Sequence, residues 1–250
     1  MAPCAAMDPT VARDVATEAG RPDQPEARVL ALIPAHDEAP RIAAVVRGAR
    51  AQLPVLVVDD GSADDTAARA EEAGAAVLIQ RPNRGKGEAL RAGFRWALEA
   101  GYEAVVTLDG DGQHDPAEIP SFLQAYHDGQ PDLVIGRRDF SRMPLTRRLA
   151  NASSRRVFSW AVGRSIPDNQ SGYRLLSRRL MEALAGSREA GFEFEVEMIT
   201  TCIRRGYRLE WVPIRTIYAG EPSHIQPVRH VGQFLRVAWQ ARRTVHQPPD

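Results

Sequence analysis

The sequence has almost no lysine, little cysteine and no long apolar run. Lys86 is the only lysine among 32 basic residues, and Cys4 and Cys202 have neither metal-ligand spacing nor the density of a disulfide framework. No run of about 18 apolar residues is present to cross a bilayer, and residues 1–26 lack the apolar segment of a secretory signal. Because 32 acidic residues balance the basic ones, no overall positive field attracts nucleic acid. These absences favour a protein of a reducing, cytoplasmic compartment without a nucleic-acid partner.

The sequence does contain a regular alternation of strand-like and helix-like segments. Short apolar runs rich in β-branched residues alternate with segments whose apolar residues recur at helical spacing. This alternation predicts an α/β fold, with a mostly parallel central sheet flanked by helices and a mixed C-terminal portion. Residues 1–26 are predicted to be a disordered tail, 27–227 one domain, and 228–250 an amphipathic helix and tail. The predicted strands are 28–33, 54–58, 75–79, 105–108, 133–135 and 207–214, and the main predicted helices are 39–51, 88–100, 149–162, 193–205 and 228–243.

The turn after the strand at 105–108 carries the strongest chemical signal. Asp109 and Asp111 leave the end of this strand with only Gly110, which has no side chain to obstruct a ligand, between them. Two carboxylates this close repel each other unless a cation lies between them, and hard oxygen ligands suit Mg²⁺ or Mn²⁺ held jointly with a phosphate. Gln113 adds a neutral carbonyl oxygen as a third ligand. The alternative is an acidic surface turn, since Asp and Gly are common turn residues.

Two more acidic turns follow predicted strands. His36-Asp37-Glu38 follows the first strand, and Asp59-Asp60 follows the second. In a doubly wound sheet all three turns meet at the edge where ligands bind, and clustered acids there suit a nucleotide with a metal-bound diphosphate. A dinucleotide site is not favoured, because the first strand lacks G-x-G-x-x-G, and Gly85-Lys86-Gly87 does not complete a P-loop.

Five segments occur in the order typical of a known family: Ile33-Pro34-Ala35-His36-Asp37-Glu38, Val57-Val58-Asp59-Asp60-Gly61-Ser62, Asn83-x-Gly85-Lys86-Gly87, Leu108-Asp109-Gly110-Asp111-Gly112-Gln113-His114-Asp115-Pro116 and Gln170-Ser171-Gly172-Tyr173-Arg174. The sequence resembles the family 2 glycosyltransferases of GT-A fold, most of all the dolichyl- or polyprenyl-phosphate mannosyl- and glucosyltransferases, over about residues 28–236. Two features depart from that family: His36-Asp37 stands where Tyr-Asn is usual, and the C-terminal membrane helices of many relatives are absent.

The resemblance implies that residues 27–227 form a GT-A domain that takes a sugar from a UDP- or GDP-sugar with inversion. A divalent cation, Mg²⁺ or Mn²⁺, would stabilise the departing diphosphate, which makes Asp111 catalytic through the metal. Arg174 is predicted to pair with a phosphate in bidentate fashion, and Lys86 to do so as a point charge or to lie solvated in its loop. The implied donor-side residues are Pro34, His36 and Glu38 at the nucleoside, Asp60 at the base, Gly110 at the donor, and Asp109, Asp111 and Gln113 at the metal.

The acceptor side is less determined. Asp168 is the first candidate for the catalytic base; Glu193 and Glu195 are others, although acids at a helix start more often favour the helix dipole. A lipid phosphate acceptor is already ionised and needs no base, in which case Asp168 would position groups instead. Further residues implied on the acceptor side are Gln170, Ser171 and His224.

The predicted C-terminal helix has an apolar side flanked by arginines. Such a helix suits peripheral contact with the inner face of a membrane, packing on the domain, or a homodimer contact. The predicted function is sugar transfer from a nucleotide-sugar donor to a polyprenyl phosphate or other lipid-linked acceptor. Two alternatives are a nucleotidyltransferase that forms sugar nucleotides, whose glycine-rich basic loop after the first strand is missing, and a non-catalytic nucleotide-sugar-binding domain.

Overall fold

A computed structural model describes residues 28–139, 145–186, 192–215 and 227–246, without the side chains of 145–151, 192–193 and 227–235. Within these described residues, seven strands form one sheet. They are β1 (Val29–Ala35), β2 (Val55–Asp60), β3 (Ala76–Gln80), β4 (Ala104–Thr107), β5 (Leu133–Arg138), β6 (Arg174–Ser177) and β7 (Leu209–Ile214). The predicted disordered tail and the segment around His224 lie outside the described residues.

The helices flank this sheet. A short 3₁₀ turn at Pro116–Glu118 precedes the fourth helix. Asp115 caps this turn by accepting a hydrogen bond from the N–H of Ala117. The helices are α1 (Ile42–Arg50), α2 (Thr66–Glu72), α3 (Lys86–Glu99), α4 (Ile119–Gly129), α5 (Leu145–Val162), α6 (Arg178–Leu184), α7 (Phe192–Arg204) and α8 (Pro227–Val245). None of them, over the residues described, is long and apolar enough to cross a bilayer.

The strand order is β3-β2-β1-β4-β6-β5-β7, and of these seven described strands only β6 runs against its neighbours. The predicted α/β fold with a mostly parallel sheet and a mixed C-terminal portion is therefore confirmed. Because β6 is antiparallel to β4, Thr107 at the end of β4 pairs with Arg174 at the start of β6. The loop that enters β6 is thereby brought to the same sheet edge as the turn that leaves β4.

Apolar side chains on both faces of the sheet explain why its strands are continuous hydrophobic runs. In β1, Leu30 and Leu32 join the core on one face, whereas Ala31 and Ile33 join the core on the other. Helix α3 lies very close to β1: a Cβ added at Gly93 would be 2.3 Å from Cδ1 of Leu32. This packing fixes α3, and so the lysine at its start, relative to the sheet.

The structure differs from the sequence prediction mainly in the C-terminal third. Strand β6 and helix α6 were not predicted, because β6 has only four residues and offers no period to read. Helix α5 begins at Leu145, within a stretch predicted to be loop. Pro213 lies in β7 at the edge of the sheet, as a proline within a strand indicates.

Candidate active site

The three acidic turns lie at one edge of the sheet, as predicted. Strands β1 and β2 are parallel and Ala35 pairs with Asp59, while the N–H of Leu108 donates to the carbonyl of Leu32. The turn after β4 also packs on the first loop, because a Cβ added at Gly110 would lie 3.5 Å from both Ala35 and Glu38. Parallel pairing therefore converts three separate stretches of sequence into one acidic edge.

Asp109 is half-buried and held from two sides. Its Oδ1 lies 2.6 Å from Nζ of Lys86, and its N–H donates to Nδ1 of His114 at 3.2 Å. Burial alone would raise the pKa of Asp109, but the Lys86 ammonium outweighs it, so the pKa lies below its usual value. Burial lowers the pKa of His114, which fits a neutral ring whose Nδ1 accepts that bond. Asp109 is therefore an anion in a fixed orientation.

Asp111 has a different environment from Asp109. Its Oδ1 accepts a hydrogen bond from the N–H of Gln113 at 2.9 Å, and it has no ion-pair partner among the residues described. Burial raises the pKa of Asp111, and the negative Asp109 adds to that effect. A bound cation would offset both the burial of the Asp111 charge and its repulsion by Asp109.

The pair suits a metal that takes its remaining ligands from a substrate. No group of three or more His, Cys, Asp or Glu side chains in the described part of the chain is arranged to hold a metal ion alone. Two carboxylates separated by Gly110 nevertheless match the small number of protein oxygens with which Mg²⁺ is held beside a phosphate. Gln113 lies exposed in the same turn, and its role as a third ligand stays a prediction.

Lys86 is not a solvated loop residue. It begins α3, and its ammonium lies between Asp109 and Glu195, 3.0 Å from Oε1 of the latter. Burial alone would lower the pKa of Lys86, but these two carboxylates raise it above its ordinary value. The only lysine of the sequence is thus a positive charge shared by two carboxylates at the acidic edge.

Asp60 supports the loop that carries Lys86. It is buried, and its two carboxylate oxygens accept hydrogen bonds from the N–H groups of Arg84 and Gly85 at 2.8 and 2.7 Å. Gly85 has φ +87°, a conformation that favours glycine. The predicted contact of Asp60 with a base stays a prediction, whereas its role in shaping this loop is visible in the structure.

The first loop combines a buried anchor with exposed polar groups. Pro34 is buried within β1, whereas the side chain of His36 is 44% exposed, with Nε2 3.5 Å from Asp37. Asp37 has φ +56°, and its carboxylate accepts a hydrogen bond from the N–H of Ala63. The N–H of Glu38 donates to Oγ1 of Thr66 at 2.8 Å. His36 and Glu38 therefore lie in the loop at the acidic edge, and their contact with a nucleoside stays a prediction.

The loop before β6 closes the other side of the turn. Oγ1 of Thr107 donates to the carbonyl of Gly172 at 2.8 Å, and a Cβ added at Gly172 would be 2.8 Å from Oδ2 of Asp109. Gln170 is exposed, and Ser171 is buried with no hydrogen-bond partner for its hydroxyl in the described structure. Only a glycine at position 172 allows this loop to approach the carboxylate so closely.

Comparison with known proteins identifies the family. The model of glycosyl transferase family 2 matches residues 31–190. The chain belongs to glycosyl transferase family 2. The undecaprenyl-phosphate mannosyltransferase of Micrococcus luteus is 35% identical, covering 75% of this chain and 82% of its own. The polyprenol monophosphomannose synthase of Mycolicibacterium smegmatis is 33% identical, and the match covers 76% of this chain and 78% of that protein.

Solved structures show the same fold. A glucosyl-3-phosphoglycerate synthase from Mycobacterium tuberculosis, crystallised with Mn²⁺, uridine diphosphate and glucosyl-3-phosphoglycerate, has a TM-score of 0.65. It is 20% identical and covers 92% of this chain and 87% of its own. At that identity the likeness supports the fold alone. Family membership makes this chain a glycosyltransferase and disfavours the nucleotidyltransferase alternative.

Asp168 of this glycosyltransferase is not placed as a free base. It is 2% exposed, and its two oxygens accept hydrogen bonds from Nε and Nη2 of Arg138 at 2.7 and 2.9 Å. Oδ1 also accepts from the N–H of Gln170 at 3.1 Å. Both oxygens of this carboxylate are therefore engaged by other parts of the chain. The structure instead favours the other interpretation, in which Asp168 positions the loop before β6.

Arg174 has no access to a donor phosphate in this structure. Its side chain is fully buried, and its guanidinium donates to the carbonyls of Ser171, Glu195 and Asn169. Burial lowers the pKa of Arg174 to about 10, which leaves it charged at neutral pH. The predicted bidentate contact with phosphate does not fit this position; Arg174 ties the loop before β6 to helix α7.

Two residues that sequence reasoning undervalued lie at this glycosyltransferase site. Glu195, predicted to be a candidate base or an acid that favours its helix dipole, reaches Lys86. Arg138, which lies beyond the predicted strand 133–135, holds Asp168. The solitary lysine was a signal that a buried acid pairs with it. No local pattern indicated which acid. The side chain of Glu193 lies outside those described.

Replacing Gly172 with alanine is expected to lower the rate of sugar transfer about tenfold, with little loss of stability. The added methyl would displace Asp109 and Lys86, and small misplacements of reacting groups carry large kinetic penalties. Steady-state kinetics and thermal unfolding measure the two effects. Gly186→Ala is the matched control, since nothing lies within 4 Å of its Cβ position. Kinetics equal to those of the control variant would contradict the close approach.

Proposed function

We propose that this glycosyltransferase moves a sugar, with inversion, from a UDP- or GDP-sugar to a polyprenyl phosphate or other lipid-linked acceptor. The observation that carries the proposal is the half-buried pair Asp109 and Asp111 at the edge where three acidic turns meet. Its likeness to relatives named for undecaprenyl phosphate and polyprenol supports the acceptor class.

The donor is proposed to bind with its diphosphate at the Asp109–Asp111 turn and its nucleoside at the first loop. Asp109 and Asp111 would hold Mg²⁺ or Mn²⁺, with Gln113 as a further oxygen ligand. The metal supplies Lewis-acid stabilisation of the charge that develops on the departing diphosphate. The chain contributes fixed geometry: the N–H of Asp109 donates to His114, and the turn packs on the first loop, so little reorganisation is needed during the reaction.

The environment of Asp168 supports a phosphate acceptor over a hydroxyl acceptor. A hydroxyl needs a base to take its proton, and Asp168 is occupied by Arg138. A phosphate oxygen is already ionised at neutral pH and attacks without losing a proton. Asp168 then serves to hold the loop that carries Gln170 and Ser171, the two described residues proposed for the acceptor side.

Helices α5 and α8 are proposed to lie against the inner face of a membrane, where a lipid-linked acceptor is found. They pack together, and each carries four arginines and no acidic residue. Trp160 and Trp239 are about 60% exposed, at 60% and 59%. Arg242 stacks on the Trp160 ring at 4.4 Å. Exposed tryptophan beside arginine is typical of surfaces that contact anionic headgroups.

Replacing both Trp160 and Trp239 with serine is expected to lower binding to phosphatidylglycerol vesicles about tenfold. Truncating α8 would be a poor test, because Val237 and Ala241 are buried in the core. Sedimentation with anionic and neutral vesicles measures the effect. Ile79→Ser, which removes another exposed apolar side chain (47% exposed, at the far edge of the sheet), is the control. Equal sedimentation of the double variant and wild type would argue against a membrane surface here.

The proposed reaction is tested with labelled UDP- and GDP-sugars, Mn²⁺ and polyprenyl phosphate. The expected result is label that partitions into organic solvent and is released by mild acid as the free sugar. Label transferred only to a water-soluble acceptor such as 3-phosphoglycerate would contradict the lipid acceptor. Donor binding without transfer to any acceptor would favour a non-catalytic domain.

A further inference from the structure

The ammonium of Lys86 bridges two carboxylates that come from different parts of the fold. It lies 2.6 Å from Oδ1 of Asp109, after β4, and 3.0 Å from Oε1 of Glu195, in α7. Asp109 is also a proposed metal ligand. Since two cations repel, the ammonium and a divalent metal compete for the same carboxylate.

Glu195 has an oxygen ready to accept another hydrogen bond. The residue is 7% exposed, and its Oε2 has no hydrogen-bond partner among the residues described. The backbone of Glu195 is fixed, because its carbonyl accepts a hydrogen bond from Nη1 of the buried Arg174 at 2.5 Å. A buried carboxylate oxygen without a donor is costly, and a second N–H from Lys86 would remove that cost.

We propose that Lys86 is a displaceable counter-cation of the metal site and that Glu195 is the positioning residue that receives it. Metal binding shifts the ammonium from Asp109 toward the two oxygens of Glu195. Without metal, Lys86 neutralises the charge of Asp109. With metal bound, Glu195 neutralises the Lys86 ammonium and so reduces its repulsion of the metal ion. The inference rests on the proposed metal role of Asp109. It adds Glu195 as the residue that allows a metal ion to bind at Asp109 although Lys86 lies beside it.

The proposal predicts effects of opposite sign at the two positions. Titration calorimetry with Mn²⁺ alone is expected to show about tenfold tighter binding for Lys86→Met, because the competing charge is gone, and about tenfold weaker binding for Glu195→Gln. In the Lys86→Met background, Glu195→Gln is expected to change affinity by less than about threefold, since no ammonium remains to be received. Arg95→Met is the control: it removes a positive charge from the same helix, where Arg95 pairs with Glu88.

Unchanged Mn²⁺ affinity in Lys86→Met, or an equal loss from Glu195→Gln in both backgrounds, would overturn the proposal. Should Lys86→Met fail to fold because Glu195 is left buried, the double variant, neutral at both positions, is expected to bind Mn²⁺ more tightly than wild type. If the wild-type protein transfers sugar but the variants at Lys86 and Glu195 keep its Mn²⁺ affinity, the inference about Lys86 and Glu195 is wrong and the proposed function stands. If the Mn²⁺ affinities change as expected but the wild-type protein transfers no sugar, the proposed function is wrong and the inference about Lys86 and Glu195 stands.

Discussion

Asp111→Asn is expected to lower the rate of sugar transfer by roughly a thousandfold while the fold stays intact, since a lost metal ligand removes several kcal/mol of charge stabilisation. Asp111 has no ion-pair partner among the described residues, and burial raises its pKa, so its charged form is disfavoured in the folded protein without a cation. The substitution leaves the size of the side chain almost unchanged. Initial rates with Mn²⁺, together with a thermal unfolding curve, measure the effect.

Asp115→Asn is the matched control for that experiment. It removes one negative charge from the same loop, and asparagine preserves the cap that Asp115 provides to the N–H of Ala117. Its activity is expected to stay within about threefold of wild type. If Asp111→Asn and Asp115→Asn had similar rates, Asp111 would not be a metal ligand in the reaction.

Asp168→Asn is expected to lower the free energy of unfolding by about 3 kcal/mol, because it removes a buried carboxylate that faces an arginine. Asp168 is 2% exposed and accepts two hydrogen bonds from the guanidinium of Arg138. Chemical denaturation measures this loss. Turnover is also expected to fall, because the loop that contains Gln170 loses its anchor, but its dependence on pH is expected to stay that of wild type.

Asp132→Asn separates instability from a local effect on the site. Asp132 is also 2% exposed and pairs with Arg179, but it precedes β5 at the opposite end of the sheet. Both variants are expected to lose stability, whereas only Asp168→Asn is expected to lower turnover at a temperature where both are folded. A stable Asp168→Asn protein that loses its activity together with one limb of its pH profile would restore Asp168 as the base.

The parallel half of the sheet could be predicted from the sequence because each strand there is a continuous apolar run that ends in a turn. Val55 to Val58, for example, is buried on both faces, and Asp59 and Asp60 extend the strand as buried polar residues. The C-terminal half could not be predicted equally well. Strand β6 is short, and its position between β4 and β5 depends on pairing between residues more than 30 positions apart.

The acidic turns were predictable because parallel strands bring their carboxyl ends to one edge. The partners of individual side chains were not. Asp168 and Arg174 lie in a polar segment that looks suited to ligands, yet Arg138 and three backbone carbonyls occupy them. The sequence indicates which residues have side chains that could bind a ligand or take part in catalysis. Burial and long-range pairing decide whether they face a substrate or another part of the chain.

Anomalous diffraction at the manganese edge, from crystals grown with Mn²⁺ and uridine or guanosine diphosphate, tests the central claim most directly. The account predicts one strong peak within about 2.2 Å of oxygens from Asp109 and Asp111, with the diphosphate completing the coordination. A diphosphate bound elsewhere, or a manganese peak that touches neither carboxylate, would contradict it.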